Sequence, residues 1–234
     1  MKINSRLVIH TGINFVTIPM PIISNSTYLS FQQAIITSGL EIARAENHPN
    51  SIILTRETPS ILQIIVNTLE SQIGQLLIVA PQPKGSMDLF IQESEAAIYA
   101  FETVWQAQNR QIIRADATIR ELYETTYPNA FQELWENRLG QSSKALATFG
   151  RPIRGGGLRF VMEPIQEEMP VQIEVKIESY LLDTNKIFVE TQFAWPMPTN
   201  PGAKFEVRER LTKMNTYIQD QVSSFMTGGT NDSQ

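Results

Sequence analysis

Apolar residues alternate with polar ones in two places a little over a hundred residues apart. Leu62, Ile64 and Val66 are followed after a break by Leu76, Ile78 and Ala80. Ile173, Val175 and Ile177 are followed by Ile187, Val189 and Thr191. Period-two alternation is the mark of a strand with one buried face. Each pair therefore reads as an antiparallel hairpin, and each runs through prolines into a helical pattern. After the first pair, Phe90, Ala97, Phe101 and Val104 share one face of a helix expected from about Ser86 to Gln106. After the second, Val207, Leu211, Met214, Ile218, Val222 and Phe225 recur in steps of four and three.

The rest of the chain fits around these units. Arg6 to Ile18 reads as a strand ending at Pro19. A helix through Phe31, Ile35, Leu40 and Ile42 follows, with Asn25 or Ser26 as its cap, and Asn47 to Asn50 forms a stop and a turn. Ile52 to Arg56 adds a strand. The middle reads as helical: Asp116 can cap a short helix carrying Ile119, Leu122 and Tyr123. In that helix Asp116, Arg120 and Glu124 fall four apart, as surface ion pairs do. A second helix carries Phe131, Leu134 and Trp135. A strand around Leu158 to Met162 follows a glycine run. The expected fold class is α+β: two pseudo-repeated units of antiparallel sheet with helices packed on one face. The first unit covers 1–108, the second, with extra central helices, 109–226, and 227–234 is a flexible tail. The two units form one compact domain.

Charge selects a register for the second hairpin. Both apolar sets must share a face, so paired residue numbers sum to an even value. A three-residue loop, Asp183 to Asn185, puts Glu178 opposite Glu190. A five-residue loop, Leu181 to Asn185, puts Lys176 there instead. Opposite charges across a ladder help where like charges hurt, so the longer loop is expected. A matching loop in the first hairpin, Glu70 to Gly74, pairs Val66 with Ile78 and Ile64 with Ala80. Ile64 then maps to Val175, and Ile78 to Val189, at one offset.

The faces opposite the apolar sets differ. Gln172, Glu174, Lys176 and Glu178 make a solvated face on the second hairpin. Ile65, Leu77 and Val79 make an apolar one on the first, to be covered by another part of the chain or by a second copy. These three residues are the candidates for self-association.

The segment Arg151-Pro152-Ile153-Arg154-Gly155-Gly156-Gly157-Leu158-Arg159 stands out locally. Glycines let backbone N–H groups converge on an anion, and arginines are forked donors to phosphate or carboxylate. Arg151, Arg154, Gly155, Gly156, Gly157 and Arg159 are thus candidate anion-binding residues. The plainer reading is a flexible lead-in to a strand, where glycine permits close backbone packing. Glu174 and Glu178 stand roughly 13 Å apart on one strand and cannot share an ion unaided. His10 and His48 lack metal spacing, and no nucleophile elbow occurs. The aromatic residues Tyr99, Trp105, Tyr123 and Trp135 read as core packing, with Trp195 beside Pro196 the most exposed. No cofactor, metal or catalytic set is expected.

Composition narrows the class. The 234 residues carry a net charge of −5 and 42% hydrophobic residues. An acidic balance disfavours a broad nucleic-acid surface without excluding a local basic patch. There are no cysteines, which fits a reducing compartment. Neither a signal-peptide core nor an apolar run of spanning length is present, so a cytoplasmic protein without a membrane role is expected. Its partner would be a second copy, with another protein or a nucleic acid as further possibilities.

The element order, with an Arg-containing glycine turn leading into Leu158-Arg159-Phe160 after a central helix, resembles a sporadically distributed bacterial family of two α+β halves. That family tends to have Gly-Leu-Arg-Tyr where this chain has Gly157-Leu158-Arg159-Phe160. The resemblance implies the two-half fold and no particular activity. Glycine-rich segments of CRISPR RNA-processing proteins are also similar, although here the loop is mid-chain and the chain acidic.

Overall fold

The computed structural model describes residues 1–69, 72–106, 110–165, 171–195 and 199–227. Among these residues, nine strands form one antiparallel sheet. They are β1 (Lys2–Ile18), β2 (Arg44–His48), β3 (Ser51–Arg56), β4 (Leu62–Thr68), β5 (Gly74–Pro81), β6 (Gln111–Glu124), β7 (Gly157–Met162), β8 (Gln172–Ser179) and β9 (Lys186–Trp195). Their order is β2-β3-β4-β5-β1-β6-β9-β8-β7. The long strands β1 and β6 pair at the centre. On one side β1 takes β5, and the sheet steps outward to β2. On the other side β6 takes β9, and it steps outward to β7.

The helices are α1 (Asn25–Thr37), α2 (Met87–Val104), the short α3 (Ala130–Gln132) leading into a π-helical turn (Glu133–Arg138), and α4 (Val207–Tyr217). A second π-helical turn (Ile218–Val222) joins α4 to α5 (Ser223–Thr227). Ser24 caps α1 in a capping box with Thr27, and Ser86 caps α2 through the Leu89 N–H. Each cap satisfies a donor that the first turn would leave orphaned. Gly39, at φ +89°, ends the first helical segment short of Ile42.

Ile13 and Phe15 of β1, Ile64 and Val66 of β4, Leu76 and Ile78 of β5, Ala117 and Ile119 of β6, and Val189 and Phe193 of β9 all join one buried core with the helices. In each of these pairs the core-facing residues are two or four apart, as a single covered face requires. Phe205, just ahead of α4, packs edge-on against Phe15 and Phe101. The core is thus continuous from the first half of the chain to the second.

Several elements differ from their sequence reading. Residues 111–124 are a central strand, not a helix. The buried positions Ala115, Ala117 and Ile119 alternate with Arg114, Asp116, Thr118 and Arg120. Residues four apart share a face of a strand as well as of a helix, so the charge spacing fits both. Flanking strands on both sides decide between them. Arg120 pairs with Glu190 rather than with Asp116 or Glu124. The polar strand β2, which pairs only with β3, carries no alternation to announce it.

The second hairpin has the expected register, with Lys176 opposite Glu190 and Tyr180 bonded to Lys186 around a five-residue loop. The first does not. Val66 pairs with Leu76 and Ile64 with Ile78, two residues from expectation. Gly74 belongs to the strand rather than the loop. A Cβ there would lie 2.3 Å from Cδ of Pro21, so the position has no room for a side chain. Val175 faces Thr191, as its register requires, while Ile64 faces Ile78 rather than Ala80, so the single offset between the hairpins is lost. Glu70 and Ser71 of the first loop, Pro196 and Pro198 after the second hairpin, and the tail beyond Thr227 lie outside the described residues.

Candidate functional site

The helices leave the other face of the sheet open, and the registers place its side chains in rows. One row runs Ile53, Ile65, Leu77, Asn14, Asp116, Ala194, Gln172 across seven strands. Val79 stands in the next row beside Gly12. A Cβ on Gly12 would lie 3.3 Å from the His10 ring and 3.5 Å from Val79. Ile65, Leu77 and Val79, together with Ile53, form a half-buried apolar band on the first half of the face.

Polar side chains border the band. Asn67 donates to Gln75 at 2.8 Å, Gln75 to Asn14 at 2.8 Å, and Asn14 to Asp116 at 3.0 Å. Arg114 donates to the same Asp116 oxygen at 2.8 Å. This ladder crosses four strands, and Gln75 and Asn14 each both donate and accept in it.

On the second half of the face, charges alternate across the strands. Arg159 of β7 forms a forked pair with Glu174 of β8 at 2.9 and 2.7 Å. Lys176 lies 3.3 Å from Glu174 and 2.8 Å from Glu190 of β9, and Arg120 of β6 donates to Glu190 at 2.6 Å. The surface expected to be solvated is here tied down: Glu190 is only 5% exposed. Burial alone would raise the Glu190 carboxyl, but hydrogen bonds from Lys176 and Arg120 outweigh it and hold it below the usual range. The bond to Glu190 in turn raises the Lys176 ammonium. His10 sits beside Arg120 in this row. Burial first, and then the Arg120 guanidinium, lower its imidazole, with Glu190 opposing.

The glycine segment is spread over two settings. Arg151 and Arg154 are exposed and make no ion pair with another described residue. Arg159 is on the open face, held by Glu174. The three glycines occupy tight packing. A Cβ at Gly157 would meet the Ile177 carbonyl at 2.1 Å, at Gly155 Oγ of Ser179 at 2.5 Å, and at Gly156 the Phe131 ring at 3.1 Å. The Gly156 N–H donates to Ser179 Oγ at 3.0 Å, and its carbonyl accepts from the Ser179 N–H.

Trp195 is 4% exposed, contrary to the expectation of an exposed strand end, because Arg210 of α4 stacks over it at 5.1 Å. His48 stands on β2 beside Glu46. Among the described residues no cluster of three His, Asp or Glu could hold a metal ion, and no helix is long and apolar enough to cross a membrane. Two buried groups escaped the sequence reading. The Met1 ammonium pairs with Glu133, which also accepts from Thr125 and the Thr126 N–H. Arg110 is buried between Phe101 and Phe205. Neither has a local signal, since both depend on partners elsewhere in the chain.

No protein-family model matches the chain, and no curated protein matches it.

Proposed function

We propose that the protein is a non-enzymatic binding or scaffold protein that self-associates, with the open sheet face as the contact surface. The observation that carries this reading is the apolar band of Ile65, Leu77 and Val79 on a face the helices do not cover. The chemistry of the face suits a second copy. Its cations Arg114, Arg120, Lys176 and Arg159 are matched by Asp116, Glu174, Glu178 and Glu190. A two-fold contact sets each patch against its own copy, so a surface of one dominant sign would repel itself. Nine strands spaced ~4.8 Å, over about five residues of common length, give a face of roughly 650 Å². A stable interface buries about 800 Å² per partner.

Size measured by light scattering on a gel-filtration column tests the reading. An Ile65→Lys/Leu77→Lys variant that keeps its thermal unfolding profile should run smaller than wild type. Identical oligomers in both would remove the open face from the account.

Support for two pseudo-repeated units, 1–108 and 109–226, comes from topology. In each stretch the first strand pairs with the last, and the others step outward. The resemblance to the two-half bacterial family belongs to the same proposal. A second reading, an anion or nucleic-acid binder using the 151–159 loop, draws on the exposure of Arg151 and Arg154. Its test is salt-dependent binding that falls in an Arg151→Ala/Arg154→Ala variant.

A further inference from the structure

The two ends of the sheet are built differently. At one end, the short strand β2 carries Arg44, Glu46 and His48, which interact along the strand at 3.5 and 3.3 Å. Charges on an edge strand keep other strands off it. At the other end, β7 reads Gly157-Leu158-Arg159-Phe160-Val161-Met162, with Arg159 as its one charge. That charge is turned inward, because Arg159 forks onto Glu174 of the neighbouring β8. Neither a proline nor a bulge interrupts the strand.

The outer edge of β7 is open to solvent. Gly157, Arg159, Phe160 and Val161 are all exposed, and the exposed surface of a glycine is backbone. The Ser179 N–H donates to the Gly156 carbonyl, which fixes the direction of the peptide groups that follow. Alternate residues of an antiparallel ladder bond to the same neighbour. Leu158, Phe160 and Met162 therefore turn their backbone groups to β8, while Gly157, Arg159 and Val161 turn theirs outward. Apolar side chains flank this row. On the helical side Phe160 is 37% and Phe225 of α5 47% exposed, and their rings meet edge-on at 5.3 Å. On the open face Val161 is 48% exposed.

We propose that β7 pairs antiparallel with β7 of a second copy, about a two-fold axis at Phe160, so that two sheets become one. An outward row of backbone donors and acceptors is satisfied by an added strand, and β7 is complementary to itself. The open faces must stay on one side, so paired numbers again sum to an even value. An axis at Arg159 would set two arginines directly opposite each other, which destabilises a ladder. An axis at Val161 would leave only Phe160 to Met162 in the ladder. The axis at Phe160 pairs Leu158 with Met162, Arg159 with Val161, and Phe160 with itself. Arg159 and Val161 then exchange backbone hydrogen bonds on both sides of the axis, and the Phe160 and Phe225 rings of both copies gather into one apolar cluster. This inference rests on the self-association proposed above and assigns it a second surface. Ile65 and Leu77, on β4 and β5, stand on the other half of the sheet and take no part.

The chain has no cysteine, so single cysteines report the axis. Phe160→Cys would place two thiols in a non-hydrogen-bonded pair, with Cα atoms about 4.5 Å apart and within disulfide reach. Cysteines from Arg159→Cys or Val161→Cys would stand diagonal to their copies, beyond about 7 Å. Under copper–phenanthroline oxidation of the full chain, Phe160→Cys should give a dimer band on a non-reducing gel, and the other two should give little. The band should persist when Ile65→Lys/Leu77→Lys removes the face contact. Val161→Lys needs no cysteine and covers a Phe160→Cys chain that fails to fold. It sets a cation opposite Arg159 of the second copy at both symmetry-related pairs. In the Ile65→Lys/Leu77→Lys background it should weaken association roughly tenfold by sedimentation, with thermal melting of the dilute protein unchanged. Cross-linking stronger at 159 or 161 than at 160, or a folded Val161→Lys chain that associates as before, would overturn the proposal. No band at 160 from a chain that still associates would overturn the edge contact alone, whereas a monomer at every concentration would remove both surfaces.

Discussion

Replacing Glu190 tests how the second half of the open face is held. The carboxylate accepts from Lys176 Nζ at 2.8 Å and from Arg120 Nε at 2.6 Å. A charge-assisted hydrogen bond is worth about 1.5–3 kcal/mol when shielded. The Lys176 and Arg120 side chains are 30% and 41% exposed, so water screening reduces each to about 1 kcal/mol. Glu190→Ala should therefore cost about 2 kcal/mol, and lower the melting temperature by roughly 4–8 °C for a chain of this size. Glu178→Gln is the control. Glu178 is exposed and faces Phe188 and Gly157, so its replacement should change stability by less than about 0.5 kcal/mol. The shorter loop would instead set Glu178 against Glu190, and removing one of two facing carboxylates would stabilise the protein. The assay is urea unfolding of the two variants with a Lys176–Glu190 double-mutant cycle. A neutral Glu190→Ala, or a clearly stabilising Glu178→Gln, would refute the register argument. The pH profile adds a sign. A depressed carboxyl contributes stability above its unfolded pKa, about 4.3, and loses it as pH falls through the folded value. The raised Lys176 ammonium contributes below about pH 10.4 and loses its share as pH rises through its folded value. The ladder should thus be at full strength between those limits.

Other perturbations address the remaining contacts. Gly157→Ala should destabilise by about 1–3 kcal/mol and speed amide exchange in β7, since its Cβ would meet the Ile177 carbonyl; unchanged exchange would show that the strand entrance has slack. Glu93→Ala should cost about 3–5 kcal/mol in urea unfolding because it strands Arg56 in the interior between β3 and α2. An Arg56→Met/Glu93→Leu pair should recover most of that loss. Burial works to raise the Glu133 carboxyl, but bonds from the terminal ammonium, Thr125 and the Thr126 N–H prevail and lower it. Its contribution should be whole above the usual carboxylate pKa and fade as pH falls through the folded value, and Glu133→Gln should flatten that part of the acid-unfolding curve.

Strands with one buried face were legible because strict alternation suits a half-covered ladder and little else. The second hairpin's register was legible too, since a lysine and three glutamates on its outer face distinguish the alternatives. The first hairpin offers no such label: Ile65, Leu77 and Val79 pair equally well one step along. Gly74 reads as a turn residue until Pro21 is seen packed against it. Central strand β6 resembled a helix because its charges fall four apart, a spacing both structures place on one face. The open face itself could be named residue by residue, but its ion-pair ladder could not. Arg120 joins Glu190 only because β6 and β9 are neighbours, a fact of topology that local sequence does not contain. Arg110 is more remote still, its environment assembled from α2 and the segment before α4.

Self-association of the wild-type chain is the claim on which the functional reading turns. Sedimentation velocity over a dilution series from high to low micromolar concentration addresses it without mutation. The account predicts a dimer or larger species that dissociates on dilution into a 26.5 kDa monomer. A single monomer boundary at every concentration would contradict it.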